Sequence, residues 1–165
     1  MAAEHRDAYP TNPDEFEILS KPIFTLSRDG RSELLVFDAR MVVNTAQPQT
    51  NRRGKRQVNL EITEWVAQAH STLLDQDIVM RQEGDDHPQS RVTAQNFDSD
   101  FPGEMRFPMN WAIEIGQERI AGLQAEAVGT INAFPPAPGD VFDIVGKDLE
   151  VGGTRLVAVA CAHAA

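Results

Sequence analysis

Six large apolar residues fall on every second position of one segment: Met105, Phe107, Met109, Trp111, Ile113 and Ile115. Between them stand Arg106, Pro108, Asn110, Ala112 and Glu114. Side chains alternate faces along a strand, so this run presents one apolar face and one mostly polar face. A helix would scatter the six around its circumference. The segment therefore reads as a strand lying over a hydrophobic core. Pro108 cannot donate to a ladder, which calls for an edge position, a bulge, or a strand that begins at Met109.

The same period recurs along the chain. Leu35, Phe37, Ala39, Met41 and Val43 share a face, as do Val58, Leu60 and Ile62. Asp29-Gly30, Gly116-Gln117 and Gly152-Gly153 supply tight turns, and 45–57 reads as a long polar loop. Residues 64–74 admit two readings. Trp65, Ala69 and Leu73 have helical spacing, whereas Val66, Gln68, His70 and Thr72 continue a strand to about His70. A hairpin near 74–77 and a strand from Ile78 to Gln82 would follow that strand. The cadence of turns predicts an all-β fold, an antiparallel β-sandwich or β-barrel of about 8–10 strands with at most one short helix. Residues 1–15, polar and carrying Pro10 and Pro13, read as a flexible N-terminal arm before a single β domain over 16–165.

Composition narrows the function classes. The chain has 165 residues, the size of one domain. No apolar run approaches the ~20 residues of a membrane-spanning helix, and the first residues lack the pattern of a signal peptide. With one cysteine, Cys161, the reading is a cytoplasmic protein without an internal disulfide. The acidic balance, net −10, repels a phosphate backbone and disfavours nucleic-acid or anionic-membrane partners. A small molecule, a protein partner, or a second copy meeting an exposed strand edge remain as partners.

Few motifs carry chemistry. There is no Gly-x-Ser-x-Gly and no glycine-rich phosphate loop. Cys161 lies on an alternating apolar strand and reads as an unreactive buried thiol. The histidines His5, His70, His87 and His163 show no ligand spacing. Asp85, Asp86 and His87 with Asp98 and Asp100 read as solvated acidic loops rather than a cation site. No metal and no cofactor is expected. Arg52-Arg53-Gly54-Lys55-Arg56 gathers four of fifteen bases in one loop, either a charged loop tip or a seat for an anionic ligand or acidic partner.

Two function classes follow. The first is a non-catalytic domain that binds a protein partner or a small, apolar molecule, the latter through the soft, polarisable residues Phe107, Met109, Trp111 and Trp65, with His70. The second is a cofactor-free isomerase, cyclase or lyase with a carboxylate base in a barrel cavity. Its candidate residues are Glu114, Arg106 and Asn110, should their face turn inward, together with Asp38. The missing nucleophile, metal and phosphate motifs favour the first.

Overall fold

The computed structural model describes residues 6, 8–84, 89–145 and 148–163, and these contain strands and turns but no helix. The strands are β1 (Asp14–Arg28), β2 (Arg31–Val36), β3 (Asp38–Thr45), β4 (Gln49–Thr50), β5 (Arg56–Ser71) and β6 (Gln76–Gln82). They continue as β7 (Ser90–Ala94), β8 (Gly103–Ile115), β9 (Glu118–Ile131), β10 (Val141–Val145), β11 (Asp148–Val151) and β12 (Thr154–His163). All pairings are antiparallel, and β1 pairs with β12 as well as with β2 and β3, which closes the sheet into a barrel. Several staves of the barrel are made of two strands in line. Strands β2 and β3 together flank β1, β6 and β7 together lie between β5 and β8, and β10 and β11 both flank β12. The barrel has eight staves in up-and-down order.

Local chemistry accounts for the turns. Asp29 and Gly30 adopt φ of 52° and 76°, the left-handed pair that a two-residue hairpin between right-twisted strands requires. The ambiguous stretch resolves as strand: β5 runs to Ser71, residues 72–75 turn, and β6 follows. Burial of Ala67 and Ser71 on the lumen side outweighs the helix preference of alanine and glutamine. Pro108 is explained by the split stave. β8 pairs with β7 through Gly103–Arg106 and with β6 through Trp111–Ile115, so 107–110 borders neither strand on that side. A residue without an N–H stands where no ladder partner asks for one.

Inward-facing residues form two apolar layers along the barrel. One gathers Phe16, Ile18, Met41, Val43, Leu60, Met105, Phe107, Phe134 and Phe142, and the other Phe24, Leu26, Phe37, Met80, Trp111, Ile113 and Leu156. The outer face of the first hairpin is less covered than its mixed sequence suggests, for Leu34 and Val36 are exposed. Gly129 is a packing requirement: a Cβ there would lie 2.3 Å from the Phe142 ring.

Part of the segment expected to be an N-terminal arm packs on the barrel. Tyr9 is 2% exposed, its ring packs edge-on against Phe101 at 5.2 Å, and its backbone N–H donates to Asp100 Oδ2 at 2.9 Å. Arg6 exchanges backbone hydrogen bonds with Phe134. The reason is that one aromatic side chain carries more apolar area than the polar composition around it suggests. Among the described residues, no helix is long and apolar enough to cross a membrane.

Three stability outcomes follow. Tyr9→Ala should lower the unfolding free energy by about 3–5 kcal/mol in urea denaturation. Tyr9→Phe should change it by less than about 1 kcal/mol, because the buried hydroxyl has no hydrogen-bond partner among the described residues. Gly129→Ala should cost about 1–3 kcal/mol by overpacking against Phe142.

Candidate functional site

The two apolar layers do not fill the lumen. Between them lies a cavity of about 70 Å³, lined by members of both. Its size follows from the register of β8 against β9. Phe107 sits opposite Ala127 and Met109 opposite Ala125. Each large inward side chain thus faces a small one, and Ala158 of β12 adds another short wall residue. An eight-stranded barrel has an interior about wide enough to be filled by side chains, so this many small residues leaves room.

The lining is mostly apolar, with Trp65, Trp111, Phe107 and Phe142 as rings and Met41, Met80 and Met109 as flexible thioethers. Three polar side chains, Ser20, Cys161 and His163, enter from β1 and β12. Ser20 and His163 are register partners across the strand pair that closes the barrel. Trp111 Nε1 and both ring nitrogens of His163 are buried and have no hydrogen-bond partner among the described residues. Such groups cost about 1–3 kcal/mol each when left unmatched, and both belong to side chains that line the cavity.

Electrostatics keep the lumen uncharged. Burial pushes the His163 imidazole down to about 4, against the opposite pull of Asp140, so the ring is neutral at pH 7. Its ring and that of Phe142 pack in a T-shaped pair with centroids 4.3 Å apart. Burial also pushes the Cys161 thiol up, outweighing a hydrogen bond with Ser20. A neutral thiol is a poor nucleophile, which fits the expectation of an unreactive Cys161.

The wall beside Trp65 and Met109 has an interruption in its strand pairing. Residues 61–65 of β5 and 107–110 of β8 face each other across the gap between β6 and β7. Hydrogen bonds from Gln82 Nε2 to Ile62 O at 3.0 Å and from Glu83 N to Asn110 O at 3.0 Å stitch the gap. Trp65 lines both the cavity and an outer groove with Glu64, Arg81 and Gln82.

The residues singled out from sequence divide sharply. Phe107, Met109, Trp111 and Trp65 all line the cavity. His70 does not: it lies outside the barrel, about half exposed, with Nδ1 2.8 Å from Asp77 Oδ1, which holds its pKa above the usual imidazole value. Its place at the outward phase of β5 follows from the strand register, in which Ala67 faces in. The row Arg106, Asn110 and Glu114 likewise faces outward, because Phe107, Trp111 and Ile113 take the lumen side. Arg106 pairs with Glu104 and Glu126 at 2.7 Å each, and Glu114 lies 3.8 Å from Arg119. Asp38 is also on the outer face, four-fifths exposed and paired with Lys21. The inward geometry on which these four were expected to act is therefore not met. Glu126 reaches the cavity's edge, but its carboxylate is held by Arg106.

Sequence reading missed Ser20, Phe142 and His163. A signal was present in the last strand, where Cys161 and His163 are two apart and must share a face, and in the small alternating residues Ala125, Ala127 and Gly129. Asp85, Asp86 and His87 lie outside the described residues, and the described residues contain no cluster of histidines, cysteines or carboxylates arranged to hold a metal ion.

No family model matches the sequence, and no curated protein is similar to it by sequence. A solved structure is similar in fold: DynF from the dynemicin biosynthesis pathway of Micromonospora chersina. It superposes with a TM-score of 0.71 over 98% of this chain and 84% of that one, at 15% sequence identity. At that identity the likeness shows the β-barrel fold and carries no residue roles.

Proposed function

We propose that the protein is a non-catalytic binding barrel that holds one small, flat, mostly apolar molecule in its lumen. The observation that carries this reading is the pair of buried, unmatched polar groups, Trp111 Nε1 and the His163 ring, on side chains that line a mostly apolar cavity. Indole N–H only donates, while a neutral imidazole both donates and accepts. The fitting ligand has an aromatic or alicyclic body and one or two uncharged oxygens, such as a hydroxyl or carbonyl. A charged ligand would lose its hydration without a compensating partner. The unliganded volume is small, and Met41, Met80 and Met109 can swing to enlarge it because the thioether chain has three rotatable bonds.

The isomerase, cyclase or lyase reading lacks support from the lumen. Asp38, Glu61 and Asp143 are exposed, while Glu114 faces outward and Glu126 is ion-paired with Arg106. His163 is held far below the pKa that suits a general base at neutral pH. DynF belongs to a biosynthesis pathway, a setting in which a barrel that shelters a small molecule has a place. That parallel supports the reading at the level of fold alone.

Aromatic alcohols from phenol to 2-naphthol, titrated while tryptophan fluorescence is followed, test the proposal. Saturable quenching is expected for at least one of them. Ala127→Leu, which fills the cavity, should weaken that binding at least tenfold while leaving stability equal or raised by about 0.5–2 kcal/mol. Trp111→Phe keeps an aromatic ring and removes the donor, so affinity should fall about tenfold. Saturable binding that both variants leave unchanged would place the ligand elsewhere and defeat the proposal.

A pH effect follows from the same site. Folded, His163 stays neutral to about pH 4, whereas the unfolded side chain protonates near 6.5. Between those values the unfolded chain holds the extra proton, so stability rises with pH through the window and levels off above it. The full effect is about 3 kcal/mol. His163→Gln should remove this part of the slope, measured as the difference in urea midpoints between pH 4.5 and 7.5. An unchanged slope would show that the ring is not buried neutral.

A further inference from the structure

The basic loop lies far from the lumen chemistry and has a geometry of its own. Asn51 organises it: its side-chain oxygen accepts from Arg53 N at 2.9 Å and Lys55 N at 3.1 Å, and its backbone pairs with Gly54 and Lys55. Gly54 takes φ of 80°, which lets the turn close. The loop is thus a fixed mount for its cations. Across from it, β7 pairs with β5 in the register Gln57 to Thr93 and Asn59 to Arg91, bringing Arg91 to the same outer face. Arg53, Lys55 and Arg91 line one groove of about 370 Å³ together with Asn51, Gln57, Thr93, Gln95 and Glu104.

The charges in that groove are unbalanced. Glu104, its acidic residue, is engaged by Arg106 at 2.7 Å. Arg56 at the loop's end is likewise taken up by Asp100 at 2.6 Å. Among the described residues, Arg53, Lys55 and Arg91 have no carboxylate partner, in a chain whose net charge is −10. Lys55 Nζ instead sits 5.6 Å from the centre of the exposed Phe97 ring. Three like charges kept around one concavity, with acids abundant elsewhere in the chain, match an anion better than they match a solvated tip.

The geometry points to a second, outer binding site that takes a phosphate or diphosphate group carried on a small polar molecule. Two guanidinium forks offer bidentate hydrogen bonds to phosphate oxygens, and Lys55 adds a point charge. The amide and hydroxyl side chains of Asn51, Gln57, Thr93 and Gln95 suit a polar body rather than an apolar one. The groove's size fits one small molecule, and the acidic remainder of the surface repels a long polyanion such as a nucleic acid. This site is independent of the lumen reading and stands or falls separately.

Inorganic pyrophosphate titrated into the full chain at low ionic strength, followed by amide shifts in ¹H–¹⁵N spectra, tests the assignment. The expected result is saturable shifts centred on residues 51–57 and 91–95, with Arg53→Gln and Arg91→Gln each weakening binding tenfold or more. Arg119→Gln, an outer-wall control paired with Glu83 at 2.8 Å, should leave it unchanged. All three side chains are on the surface, so the variants should fold, as circular dichroism would verify. Shifts that rise without saturating, or that Arg119→Gln weakens as much as Arg53→Gln and Arg91→Gln do, would overturn the site. A ten-nucleotide single strand of DNA binding more tightly than pyrophosphate would overturn the assignment to a small ligand.

Discussion

The pairing of β1 with β12 is the constraint on which the rest of the structure depends. Ser20 to Ser27 meet Arg155 to His163 in antiparallel register, and that ladder turns an open sheet into a barrel. Closure removes the two longest exposed edges and gives the inward residues of all eight staves a common interior. It also sets Ser20, Cys161 and His163 against the lumen, because these residues lie on the closing strands at the phase that faces in. A register slip of one residue would turn His163 and Leu156 outward together, so the site and the core share a single specification.

Closure alone would leave a filled interior. The cavity exists because β9 presents Ala125 and Ala127 to Met109 and Phe107 of β8, while the layers above and below are built from Phe, Leu, Ile and Met. Packing in those layers is tight enough that a methyl group on Gly129 has no space, yet a few residues away the lumen is open. The contrast within one strand argues for a specified void rather than loose packing. Unmatched polar atoms on two lining residues, Trp111 and His163, add a cost that a purely apolar lining would not carry.

The fold was legible where period-2 patterning was strong. Met105 to Ile115 and Leu35 to Val43 announced strands and separated an apolar face from a more polar one, whereas Trp65 lay in the stretch that admitted two readings; Phe107, Met109, Trp111 and Trp65 all line the lumen. What was less legible depends on interactions distant in sequence. Tyr9 is buried by Phe101 and Asp100, some ninety residues away, and nothing in residues 1–15 reveals that. The polar row of Arg106, Asn110 and Glu114 could face either way until closure fixed the inside, and the aromatic face won because it buries more apolar area. His163 was passed over as an isolated histidine, since its partners in the site come from β1, β8 and β10.

A structure of the protein with 2-naphthol bound decides whether Trp111 and His163 are the polar handles of a lumen ligand. The expected position of the rings is between Phe107 and the Ala125–Ala127 wall, with the hydroxyl oxygen about 3 Å from Trp111 Nε1 or a ring nitrogen of His163. Naphthol seated on the outer wall, with the lumen unchanged, would contradict it.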